Sequence, residues 1–106
     1  MSEDLLKKLR ELSNLGKTVG FADKKSGGHY KVGEIIDEVS VVSSSDVEYK
    51  YFIQKIRTPQ DRIEYRFCYY TTDAKQKRLV FGQYAIDMSE RDFFELVRKA
   101  VQKFRI

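Results

Sequence analysis

Two runs rich in Tyr, Phe, Val and Ile, residues 47–57 and 62–70, are separated only by Thr58-Pro59-Gln60-Asp61. Such side chains suit the pleated, half-buried surface of a sheet, and a proline second in a four-residue interval suits a turn. The pattern predicts a β-hairpin. A polar connection over residues 71–77 leads to a third run, residues 78–86, and the three together predict an antiparallel meander.

Helical signals flank the meander. Leu5, Leu6, Leu9 and Leu12 share one helical face, with Ser2 as cap, Glu3 and Asp4 at the positive end of the dipole, and Gly16 as stop. Near the C-terminus, Ser89-Glu90-Arg91-Asp92 reads as a capping box, followed by a stripe of Phe93, Leu96, Val97, Ala100, Val101 and Phe104. Thr18 to Ala22 fits a short strand, and Lys24-Lys25-Ser26-Gly27-Gly28-His29 a polar loop. Residues 32–42 fit two patterns. Val32, Ile35, Ile36 and Val39 make a helical stripe, whereas Val39, Val41 and the density of β-branched residues favour a strand; the reading leans to a short helix. The fold class expected is α+β, an antiparallel β-meander of three to four strands with N- and C-terminal helices packed on one face. The length of 106 residues fits a single domain spanning 1–106.

One cysteine excludes an internal disulfide, and with one histidine it cannot supply a Cys/His zinc site. No stretch approaches the roughly 18 apolar residues of a membrane span. Met1-Ser2-Glu3-Asp4 lacks the cationic start of a signal peptide, so a soluble, cytoplasmic protein is expected. The net charge is +4, too small to name a partner by itself, but it is unevenly placed. Residues 1–46 carry −1, residues 47–86 carry +4 and residues 87–106 carry +1. The cationic segment also holds nine of the fourteen Tyr and Phe residues.

If Arg57 pairs with Arg62 and Tyr70 with Leu79, strand alternation sorts the meander onto two faces. One collects Phe52, Ile56, Ile63, Tyr65, Phe67, Tyr69, Val80, Gly82, Tyr84 and Ile86, and is where helices should pack. The other mixes rings with cations: Tyr49, Tyr51, Ile53, Lys55, Arg57, Arg62, Glu64, Arg66, Cys68, Tyr70, Phe81 and Gln83. A one-residue slip in either hairpin exchanges residues between the faces. Single-stranded nucleic acid offers flat bases to stack and phosphates to neutralise, and aromatic side chains flanked by Arg and Lys meet both needs. On this pattern Tyr49, Tyr51, Tyr70 and Phe81 stack on bases while Lys55, Arg57, Arg62 and Arg66 contact phosphates. Lys75, Lys77 and Arg78 extend the positive track. The competing reading is packing alone: the same face can be covered by the rest of the chain, by a second subunit or by another protein.

Other groupings carry less. The glycine loop around Gly27 and Gly28 departs from the phosphate-loop spacing and reads as a solvated segment or an accessory arm. Glu48-Tyr49-Lys50 has the E-x-K spacing of metal-dependent nucleases, with Asp37 or Asp46 as the further acid, but this spacing recurs by chance in charged strands. His29 has no evident partner, and Cys68, in mid-strand, reads as a sheltered thiol. The chain reads as a non-catalytic binding protein with no cofactor and no metal.

Tyr65-Arg66-Phe67-Cys68-Tyr69-Tyr70-Thr71-Thr72-Asp73, followed by Phe81-Gly82-Gln83-Tyr84 and the closing helix, resembles the ThermoDBP-related family of small archaeal single-stranded DNA-binding proteins. The resemblance covers roughly residues 45–106 and rests on overall pattern. It implies an antiparallel sheet backed by helices, with a fourth strand from residues 18–22 or 35–42. It also implies a basic, aromatic-bearing cleft for single strands, a homodimer or larger assembly, and a role in protecting exposed DNA. A high Lys, Arg and Glu content is compatible with a thermophilic source. The site residues come from the two-face sorting, not from the resemblance.

Overall fold

The computed structural model describes residues 3–22, 29–82 and 86–105. Its elements run α1 (Glu3–Glu11), β1 (Thr18–Ala22), β2 (His29–Val42), β3 (Tyr49–Arg57), β4 (Ile63–Asp73), β5 (Arg78–Gly82) and α2 (Glu90–Phe104). The strands form one antiparallel sheet in the order β1-β2-β3-β4-β5, a meander curled into a half-barrel. The α+β meander with terminal helices is as the sequence predicts, with five strands in place of three to four. No helix among the described residues is long and apolar enough to cross a membrane.

The helices lie on opposite sides of the sheet rather than on one face. Consecutive β3 residues show it. Val39, Tyr51 and Ile53 pack against Leu96, Ala100 and Phe104 of α2. Lys50, one residue out of phase with Tyr51, instead donates from Nζ to Arg10 O at 2.7 Å and Leu12 O at 2.9 Å, the carbonyls that end α1. A cation there complements the negative end of the helix dipole. Buried Phe52 lies on the same side as Lys50, as do Leu5 and Leu9 from α1. A sheet covered on both faces loses polar–apolar alternation, which is why β3 is buried or half-buried at every position but Arg57.

The same cause corrects the short helix expected over residues 32–42. These residues belong to the 14-residue strand β2. A bulge between Ile35 and Asp37 shifts the phase, so Ile35 pairs with Ile56 on the α1 side while Val39 pairs with Ile53 on the α2 side. The bulge made a strand imitate a helical stripe.

The first hairpin is also out of the expected register. Arg57 pairs with Ile63, not Arg62. Thr58 N donates to Arg62 O at 2.8 Å and Asp61 N to Thr58 O at 2.9 Å, which closes a three-residue loop over Pro59, Gln60 and Asp61. Asp61 has φ 61, the left-handed position that ends this hairpin type. In the second hairpin Tyr70 pairs with Phe81 and Thr72 with Leu79. That differs from the expected Tyr70–Leu79 pair by two residues, so the faces are unchanged.

Ser89 caps α2 by accepting from Asp92 N at 3.1 Å. Asp92 accepts in turn from Ser44 N at 2.9 Å, tying the helix start to the β2–β3 loop. Burial raises the affinity of the Asp92 carboxyl for its proton. The hydrogen bonds from Ser44 and Ser89 outweigh that, so its pKa lies below the usual value. On the far flank Lys99 Nζ donates to Ser40 O at 2.9 Å and Lys103 Nζ to Glu38 O at 3.0 Å. These lysines cover the edge of β2 beyond its pairing with β1. The apolar stripe of α2 is narrower in use than in sequence: Phe93 and Val101 are about half exposed. The expected Ser2 cap and the loop of residues 24–28 lie outside the described residues.

Candidate nucleic-acid interface

The one-residue change at the first hairpin splits the expected site. Tyr49, Tyr51, Lys55 and Arg57 share the α2 side with Ile63, Tyr65, Phe67 and Tyr69, whereas Arg66, Tyr70 and Phe81 occupy the α1 side. Tyr51 is 6% exposed and donates its hydroxyl to Asp87 O, so it has no free ring face for a base. Tyr49 packs against Tyr69 with ring centroids 5.8 Å apart. Lys55 is half-buried opposite Tyr65. Arg57 is exposed beside Asp61 at 3.5 Å, and Arg62 is exposed 3.9 Å from Glu64.

The other three residues converge. Arg66, Tyr70 and Phe81 line a cleft of about 220 Å³ together with Asn14, Lys17, Thr18, Val19, Gly20 and Ile35. β1 and β5 are the two ends of the strand order, so residues from both can line one cleft only because the sheet curls toward α1. Curvature therefore brings Lys17 and Asn14 to Phe81. No local periodicity signals that meeting, and both residues were missed in the sequence.

The cleft is built on a buried polar chain. Gln54, fully buried, donates from Nε2 to Glu38 Oε2 at 3.2 Å and accepts at Oε1 from Arg66 Nε at 3.0 Å and Nη2 at 2.6 Å. Glu38 Oε1 also accepts from Ser13 Oγ at 3.0 Å and Asn14 N at 2.9 Å. Every oxygen of this buried carboxylate is thus engaged. The Gln54 clamp holds the Arg66 guanidinium 4.9 Å from the centre of the Phe81 ring. Phe81 meets the Tyr70 ring edge-on at 5.4 Å and is 39% exposed, which leaves ring surface for a ligand.

The cations of the cleft have no directly paired carboxylate, and the buried Glu38 carboxylate lies behind Gln54 and Asn14. Among the described residues no carboxylate pairs with Arg66 or Lys17; their partners are the neutral amides of Gln54 and Asn14. Lys17 Nζ donates to Asn14 Oδ1 at 3.1 Å, which sets the amide so that Nδ2 lies opposite. Asn14 is 2% exposed and its Nδ2 has no partner among the described residues. A buried donor left unpaired costs about 1–3 kcal/mol. Burial also pushes the Tyr70 phenol upward, keeping it a neutral hydroxyl donor. The arrangement offers two cations and a ring face, the chemistry of an anion attached to a flat group, with the Tyr70 hydroxyl turned to Asn14 Oδ1 at 3.5 Å.

Two further sequence readings fall in definite places. Lys50 of the E-x-K spacing is held by the carbonyls at the end of α1, and burial lowers its pKa. Cys68 is fully buried and burial pushes its thiol up to about 11. No group of three or more His, Cys, Asp or Glu among the described residues has metal-holding geometry. Compared with protein-family models, curated proteins and solved structures, the chain has no match.

Proposed function

We propose that this protein binds single-stranded nucleic acid without catalysis, with phosphates on Arg66 and Lys17 and a base on Phe81. The observation that carries the reading is the pairing of a guanidinium held by a neutral amide with an exposed ring in one cleft. A stacked base contributes roughly 1–3 kcal/mol, and phosphate contacts add a term that falls with salt. The cleft is smaller than the ~300 Å³ at which ordinary ligand sites begin. It suits one phosphate or one base of a strand passing over its rim. DNA is favoured over RNA on the resemblance of residues 45–106 to the ThermoDBP-related proteins. The test is a titration of labelled single-stranded and duplex oligonucleotides over a salt series. Binding should prefer the single strand and weaken steeply with salt; no binding at low salt sinks the reading.

A specific observation favours a second reading, self-association. Ile63, Tyr65 and Phe67 on the α2 side of β4 are 42–51% exposed, and Phe93, Phe94 and Val101 of α2 are 46–59% exposed. Tyr65 meets Phe104 at 5.5 Å, which sets β4 against the C-terminal end of α2, the end that carries Val101. A patch of this kind marks an interface, and a homodimer or larger assembly would cover it. Sedimentation of wild type and Phe94→Lys measures it: a wild-type assembly that the substitution dissociates supports the reading, and a monomeric wild type removes it.

A further inference from the structure

The α2 side carries a second cavity, of about 340 Å³, lined by Ser45, Asp46, Tyr49, Tyr51, Tyr69, Ile86 and Asp87. Tyr51 and Tyr69 are direct cross-strand partners, and Tyr49 meets Tyr69 across the diagonal. The Tyr51 hydroxyl donates to Asp87 O at 3.2 Å and so holds the segment before α2 against the rings. Asp46 enters from the β2–β3 loop, its Oδ1 accepting from Glu48 N at 3.0 Å.

Three tyrosines and two aspartates line this cavity, and no lysine or arginine does among the described residues. Among the described residues neither Asp46 nor Asp87 pairs with a lysine or arginine. Phosphates are repelled from such a place. A hard divalent cation prefers six or more oxygen ligands, more than two carboxylates supply. Aromatic rings present negative faces, and rings together with carboxylates are the recognition chemistry of alkylated ammonium groups.

We propose that the cavity formed by Tyr49, Tyr51, Tyr69, Asp46 and Asp87 binds a quaternary ammonium group. The half-buried Tyr49 and Tyr69 rings form one wall against the alkylated head, which has no N–H to donate, Tyr51 holds Asp87 in place through its hydroxyl, and the carboxylates supply charge at the rim without direct hydrogen bonds. This site is on the opposite face from the Arg66 cleft and does not depend on nucleic-acid binding.

The test is titration with choline, tetramethylammonium, methylammonium and 3,3-dimethylbutan-1-ol, the uncharged isostere of choline, followed by the tyrosine ring resonances in NMR. Choline and tetramethylammonium should shift the resonances of Tyr49, Tyr51 and Tyr69, at least tenfold more tightly than the alcohol. Asp46→Asn with Asp87→Asn should weaken choline at least tenfold while far-UV circular dichroism stays unchanged. Tyr49→Leu, at a half-buried position, is the second variant and should do the same. Equal binding of the alcohol would mean a merely apolar cavity. Tighter binding of methylammonium, insensitivity to the substitutions, or no shift at millimolar choline would each overturn the proposal.

Discussion

Arg66 grips Gln54 Oε1 with two N–H groups, at 3.0 and 2.6 Å, and this neutral clamp lets the guanidinium keep its full charge beside Phe81. A carboxylate in the place of Gln54 would neutralise it. Gln54→Leu should destabilise the fold by about 1–3 kcal/mol, because Glu38 loses a donor and Arg66 an acceptor in a buried setting. It should also weaken oligonucleotide binding by freeing Arg66. Urea denaturation and fluorescence anisotropy measure the two effects.

Gly82 is required by Tyr69. A Cβ at position 82 would fall within the Tyr69 ring, which crosses the β5 backbone where the two residues pair. Gly82→Ala should cost about 1–3 kcal/mol through overpacking. Adding Tyr69→Leu should make the alanine much less harmful, a coupling that a double-mutant cycle reads directly.

Asp61 sets the register of the first hairpin through its left-handed backbone. Asp61→Val should lose about 1–2 kcal/mol, since a β-branched side chain resists that conformation. Asp61→Gly should be at least as stable as wild type. The exposed Arg57–Asp61 contact at 3.5 Å is too weak to reverse the order. Thermal denaturation of the three proteins gives the ranking.

Cys68 titrates at an ordinary 9.0 when unfolded and at about 11 when buried in the fold. The folded state therefore holds the proton that the unfolded state releases in this window. The resulting stabilisation is complete below pH 9 and is lost as pH rises toward 11. A two-unit difference corresponds to at most roughly 2–3 kcal/mol. Chemical denaturation between pH 8 and 11 should show a shallower alkaline loss for Cys68→Ala than for wild type. The same burial should keep the native thiol unreactive to iodoacetamide at pH 8.

These particulars show what was legible in the sequence. The middle strands and the cap at Ser89 were readable, because aromatic runs, Pro59 and the box of residues 89–92 are local signals. The strand β2 was obscured by its bulge and by burial on both faces. The face of each site residue turned on one backbone angle, at Asp61, which no side-chain pattern announces. That single residue moved Tyr49, Tyr51, Lys55 and Arg57 away from Arg66, Tyr70 and Phe81. Lys17 and Asn14 were invisible for another reason: sheet curvature, a property of all five strands together, carries them to the cleft.

The most direct test of the central claim compares the two faces. Anisotropy of a labelled single-stranded oligonucleotide at low salt should be followed with wild type, with Lys17→Met plus Phe81→Ala, and with Lys55→Met plus Arg57→Met. Each pair alters exposed or half-exposed side chains, and the second removes more charge. Loss of the cleft pair should weaken binding by about tenfold or more, the equivalent of one stacked ring and one phosphate contact. Loss of the opposite-face pair should cost less than the cleft pair. The reverse order, or equal losses for the two pairs, would contradict a binding site in the Arg66 cleft.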